Sequence, residues 1–275
     1  MNHCLKKTSL LLVIAILVCA QHSLSQEKTF PYKLKLETEI PIIATGLGLT
    51  AINRYAIKEP LPLTATQIYD LSASSINGFD RISTKKFSSK AESTSDFARN
   101  ALFIVPVTLG LKPLLNKEWQ QVLTLSVLYM ETVYLSREFT ALTKNTFKRK
   151  RPYLYNQSLT LTQKQELFDE GSPQKSFVSG HTSIAFCSAV FLSTVYTDLY
   201  GKSGYSTLIW VSSLSAATLV GYLRIESGMH FPSDVLAGAA LGSIIGYAVP
   251  RMHKQSSSRV NLTLAGNFAQ LTLRF

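Results

Sequence analysis

Cysteine is nearly absent from this chain. Of its three cysteines, Cys4 and Cys19 fall in an N-terminal stretch patterned like a secretion signal. Processing would leave only Cys187, so no intramolecular disulfide can staple the fold. Charge is scarce as well: Asp, Glu, Lys and Arg make up 16% of residues against 46% apolar, as in a protein that hides much of its length from water. No Pro-, Gly- or Ser-rich linker divides the chain and no internal repeat is visible, so one domain is expected. The net charge is +11, yet basic residues are not interleaved with aromatics and no reading motif is present, which argues against nucleic acid. Membrane lipid headgroups and phosphorylated substrates remain as the acids such a surplus attracts, and no obligatory protein partner is evident.

At the N-terminus, Lys6 and Lys7 precede an apolar run from Leu10 to Val18, with small or polar residues through Ser25. Residues 1–25 therefore read as a signal peptide or signal anchor, and export is expected. Six apolar segments follow, Ile40–Ile57, Phe97–Leu115, Trp119–Thr143, Thr182–Tyr200, Thr207–Leu223 and Val235–Val249, near the length of about twenty residues that spans a bilayer. All read as helices. Gly238, Ala239, Gly242 and Gly246 recur at spacings of three or four, which lets helices approach closely in lipid. Glu131, Arg137 and Glu138 in the third segment must then face the bundle interior; a soluble all-helical bundle is the alternative.

Residues 58–96 are polar and Ser-rich, an interfacial or extramembrane excursion. Residues 157–175 have no spanning character and are long enough for a lid or short helix over a site. Near the C-terminus apolar residues alternate from Val260 to Leu264 and from Leu271 to Phe275 around Gly266-Asn267, the pattern of a hairpin. The expected fold is all-α, an antiparallel helical bundle of about six mostly membrane-spanning helices with a short C-terminal β-hairpin appendage. Its parts are a signal segment (1–25), an N-terminal helix and polar excursion (26–96), a core (97–252) and a tail (253–275).

Three separated clusters carry the chemistry. Lys144 and Arg151 are two helical turns apart and point the same way if the third helix runs on until Pro152 ends it. They form a fork of one ammonium and one bidentate guanidinium for different oxygens of one phosphate. The intervening Lys148, Arg149 and Lys150 are expected only to touch anionic headgroups. Ser179-Gly180-His181 opens the fourth helix, where a hydroxyl and unpaired amides favour an anion; His181 beside it can protonate a departing oxygen. Arg224 ends the fifth helix. His230 then precedes Pro232 at the start of the sixth, with Asp234 four residues on, placed to support an imidazole that attacks phosphorus. Every cluster falls at the same end of an antiparallel bundle, as one shared site requires.

These clusters resemble the three-part signature of the type 2 phosphatidic acid phosphatase superfamily, from about Phe97 to Arg251. The resemblance implies that Lys144, Arg151, Ser179, Gly180 and Arg224 bind phosphate, that His181 is the acid, and that His230 becomes phosphorylated with Asp234 orienting it. It also implies that no metal or other cofactor is needed and that water hydrolyses the phosphohistidine. Val178 and Leu223 stand where the family often has Pro and Ser. The expected function is hydrolysis of a terminal phosphate from a phospholipid or isoprenoid (di)phosphate, in a bacterial-type cell envelope, with the site on the extracytoplasmic side of the membrane. A non-lipid acid phosphatase, a vanadate-dependent haloperoxidase and an inactive lipid-binding protein are the alternatives. A cleaved signal would leave the mature N-terminus outside, so segment 40–57 is expected to pack without crossing fully, or the signal to persist as an anchor.

Overall fold

The computed structural model describes residues 30–169, 172–255, 260–265 and 268–273. The expected signal segment and the Gly266-Asn267 turn lie outside the described residues. Helix α1 (Leu36–Ala51) passes into a π-helical turn, Ile52–Ala56. Two short helices follow in the polar excursion, α2 (Ala65–Tyr69) and α3 (Gly78–Arg81). Each is opened by a side chain that accepts a free backbone N–H, from Gln67 to Thr64 and from Asp80 to Asn77.

Helix α4 (Ser89–Ile104) starts where the Ser88 hydroxyl accepts the Ala91 N–H. It runs through a 3₁₀ segment holding Pro106 into α5 (Leu111–Leu115). The helix expected from Phe97 thus begins at Ser89, and the boundary expected between residues 96 and 97 falls inside it. Its first turns are polar because they face a cavity, which apolar patterning does not register.

Helix α6 (Trp119–Phe147) stops short of Pro152. Lys148 adopts a left-handed conformation (φ 47°) and donates its N–H to the Lys144 carbonyl, so the expected continuation to Arg151 is replaced by an extended loop. Pro152 restricts only its immediate predecessor. The lid segment forms α7 (Leu161–Asp169), followed by α8 (Gly180–Tyr200), α9 (Gly204–Glu226) and α10 (Pro232–His253). Strands β1 (Val260–Ala265) and β2 (Phe268–Leu273) pair antiparallel, Val260 opposite Leu273.

Helix α8 is the axis of the bundle, packed by α10, α9, α6 and α4. Among the described residues four helical stretches are long and apolar enough to cross a membrane: Ser89–Leu115, α8, α9 and α10. In α8 72% of the apolar window is buried, against 33% in each of the others, so the outer three keep apolar faces turned away from the protein. Val107, Val211, Leu236 and Ile244 are exposed there, an apolar exterior that suits lipid better than water. The remaining two segments, α1 and the charge-bearing α6, are not among the four.

Helices α8 and α10 touch backbone to backbone. A Cβ at Gly238, Gly242 or Gly246 would run into the carbonyl oxygens of Ser179, Ser183 and Cys187 respectively, so the small-residue stripe is a close-packing seam. The hydroxyls of α8 bond across to other helices, Ser183 with Ser136 at 3.0 Å and Ser193 with Ser213 at 2.9 Å, which satisfies polar groups that would otherwise be buried without partners. Over the bundle end where α6 stops and α8 starts lies a cap. Ile68, Tyr153, Leu154, Leu167, Met229 and Phe231 form its apolar core, drawn from both polar excursions and the α9–α10 loop.

Candidate active site

Contacts beneath the cap join the three clusters. Lys144, in the last turn of α6, brings its Nζ to the start of α8: a Cβ on Gly180 would lie 3.5 Å from it. Arg151 lies in the loop after α6. It is buried, its Nε donates to Ser172 O at 3.0 Å and its Nη1 to Met229 O at 3.2 Å, linking the first cluster to the third. Ser179 N donates to Asp234 O at 2.9 Å, linking the second to the third. The loop between α9 and α10 is wound back on its helix, with the His230 and Met229 amides both donating to the Arg224 carbonyl at 3.2 Å.

The result is a cavity of about 830 Å³ lined by Lys144, Arg151, His181, Arg224 and His230. Ser179 and Gly180 are not among its lining residues; Gly180 is the first helical position of α8, where backbone amides have no intrahelical acceptor. The Ser179 hydroxyl serves as the helix cap, accepting from Thr182 Oγ1 at 2.9 Å and more distantly from Thr182 N at 3.4 Å. Asp234 is wholly buried behind the wall; its Oδ2 lies 3.6 Å from His230 Nδ1, too long for a direct hydrogen bond. Burial, and then the charges of Arg151, Lys144 and Arg224, push the His230 pKa well below its ordinary value, so the ring is neutral. Burial also lowers the pKa of Arg151, although a guanidinium stays charged at neutral pH.

Several polar neighbours were not singled out from sequence. Asp96 of α4 meets His181 Nε2 at 2.5 Å. Arg224 Nη1 donates to Ser95 Oγ at 3.2 Å and has Glu92 at 3.5 Å, while its Nε is buried with no acceptor among the described residues. Arg99 lines the same cavity, its own Nε also buried with no acceptor among the described residues. Glu92, Ser95, Asp96 and Arg99 follow helical spacing, a signal that becomes readable once Ser88 is recognised as the cap. Arg149, expected only to touch headgroups, turns inward instead. Its Nη1 lies 2.6 Å from Asp234 Oδ1 and its Nη2 2.7 Å from Asp80 Oδ2; two buried carboxylates draw it away from solvent.

Three cations and two imidazoles, Lys144, Arg151, Arg224, His181 and His230, thus converge on one cavity. The profile of the PAP2 superfamily matches residues 122–258, and the chain belongs to that superfamily. It is 35% identical over 83 residues to a lipid A 4'-phosphatase of Porphyromonas gingivalis, 30% of this chain and 32% of that one. It is also 36% identical over 76 residues to lipid phosphate phosphatase 1 of Arabidopsis thaliana, 26% of this chain and 23% of that protein. The chain thus matches a third or less of these relatives' lengths. The crystal structure of the first transmembrane PAP2 type phosphatidylglycerolphosphate phosphatase from Bacillus subtilis is similar at TM-score 0.46 and 18% identity, over 78% of this chain and 94% of that chain.

Proposed function

We propose that this chain is a metal-independent phosphatase that removes a terminal phosphate from a phosphorylated lipid through a phosphohistidine at His230. The observation that carries the proposal is the convergence of Lys144, Arg151, Arg224, His181 and His230 on one cavity. Lys144, Arg151 and Arg224, with the amides at Gly180 and the Ser179 turn, hold the phosphate oxygens and offset the charge that builds in the transition state. His230 Nδ1 faces Asp234, which leaves Nε2 to attack phosphorus. The P–N bond forms as the P–O bond to the lipid breaks, and His181 gives its proton to the departing oxygen. That oxygen takes the place Asp96 occupies on His181 Nε2; the Asp96 side chain is 44% exposed and has room to swing aside. Water then attacks phosphorus, returns a proton to His181, and releases inorganic phosphate and neutral His230.

A lipid substrate is supported by the apolar exterior of the bundle, by the net charge of +11, and by similarity to enzymes named for lipid phosphates. In this reading the chain is an integral protein of a cell-envelope membrane, with about six helices in the bundle and the cap on the extracytoplasmic side. The purified full chain in detergent with a chelator is to be assayed against phosphatidic acid, phosphatidylglycerol phosphate, an isoprenyl diphosphate and a lipid A phosphate. Phosphate release from at least one is expected, reduced by about a thousandfold or more in His230→Ala. No release from any, or a His230→Ala chain as active as its parent, would sink the proposal.

A further inference from the structure

Asp234 lies behind His230 in the cavity wall, and its orientation is set by more than its helix. Oδ2 accepts from Ser176 Oγ at 2.5 Å and Phe231 N at 2.9 Å, while Oδ1 accepts from Arg149 Nη1 at 2.6 Å. Two bonds on one oxygen leave the group free to pivot about it; the third, on the other oxygen, fixes the plane. Arg149 is itself clamped. Nη1 also donates to Ser233 Oγ at 2.7 Å, Nη2 donates to Asp80 Oδ2 at 2.7 Å, and the guanidinium lies 4.0 Å over the Phe231 ring. Asp80 is held in turn by Asn77 Nδ2 at 3.0 Å, Ser233 N at 3.0 Å and Ser233 Oγ at 2.8 Å. A planar fork with donors on two edges makes this bridge; an ammonium reaches one carboxylate at a time.

We propose that Arg149, shared between Asp80 of the cap and Asp234 of α10, is a positioning residue for the nucleophile: it fixes the Asp234 carboxylate and sets how much negative charge that carboxylate presents to His230. Asp80 precedes the region matched by the superfamily profile, so part of the excursion over the bundle belongs to the working site. The inference deepens the proposed function and rests on it only for the kinetic arm of its test.

The charged and titratable groups facing His230 and Asp234 are Lys144 from α6, Arg149 and Arg151 from the loop after it, His181 from α8, Arg224 from α9 and Asp80 from α3. The negative charge of Asp234 favours a proton on His230, and Arg149 cancels part of it. Arg149→Gln leaves Asp234 uncancelled and is expected to move the His230 titration to higher pH. Asp80→Asn gives the whole of Arg149 to Asp234 and is expected to move it to lower pH. A bridge that merely staples cap to bundle changes the yield of folded protein or the rate without moving the titration in opposite senses.

The experiment is a nuclear magnetic resonance titration of the histidine rings in the full chain in detergent, with His230→Gln identifying the signal, beside pH profiles of kcat and kcat/KM. Arg149→Lys, which keeps charge and loses the fork, is the variant to use if Arg149→Gln does not fold. It is expected to lower kcat about ten- to a hundredfold through misplacement while its titration stays closer to the parent's. Opposed shifts support the inference even in a chain that proves inactive, where it is the proposed function that fails. An active chain in which Asp80→Asn does not lower the midpoint, or Arg149→Gln does not raise it, overturns the inference and leaves the function standing; where Arg149→Lys stands in for Arg149→Gln, an unlowered midpoint in Asp80→Asn or a parental kcat in Arg149→Lys overturns it.

Discussion

His230 is 1% exposed, and a buried imidazole among three cations resists taking a proton. With a pKa depressed below 6.5, the ring remains neutral as pH falls past that value and takes a proton only on reaching the depressed pKa. The acid limb of kcat/KM that belongs to His230 is therefore expected below pH 6.5, once the substrate's own phosphate titration is divided out; a limb above 6.5 would contradict the pocket's electrostatics. His181→Asn is expected to cost about a hundredfold or more on an alkyl phosphate and much less on p-nitrophenyl phosphate, whose departing oxygen needs no proton. Equal losses would remove the acid role. Of the eight residues picked from sequence, Ser179, Gly180, His181, Arg224, His230 and Asp234 lie at ends of α8, α9 and α10 that Ser179, Gly228 and Pro232 mark, so their positions were legible; Lys144 and Arg151 lie on either side of a helix stop that no residue type marks. Asp80 and Arg149 were not readable, because neither has a sequence spacing to its partner: the contact spans two excursions and exists only after the cap folds.

At the level of elements, helix positions were legible from apolar runs, whereas their polar ends were not. Ser89–Asp96 was read as excursion because its polar side chains line the cavity, and the stop of α6 at Phe147 was missed because a left-handed lysine carries no sequence mark. The glycine seam was legible and has a direct test. Gly242→Val forces α10 off the Ser183 carbonyl, and since overpacking costs about 1–3 kcal/mol, a lower melting temperature in detergent is expected together with loss of activity. Gly204→Ala, with nothing within 4 Å of the added methyl, is expected to change neither. If both glycines tolerate the methyl groups alike, the seam does not hold the helices.

Across the whole molecule, the α8–α9 turn at residues 201–203 lies at the opposite end of the bundle from the cap. Reporter fusions after Lys58 and after Lys202 are thus expected to report opposite sides of the membrane, the first extracytoplasmic; a cytoplasmic signal after Lys58 would refute that orientation. Apolar composition made the bundle legible, but not which helices cross, since α6 spreads charged groups along a length that would otherwise suffice. The bond from Ser179 N to Asp234 O has one last implication. It ties the start of α8 to the start of α10 through main-chain atoms alone, so no side-chain replacement short of a proline at position 179 can delete it. Under the proposed function, changes to the roof are then expected to alter the choice of lipid while leaving the spacing of the two helix starts beneath it unchanged.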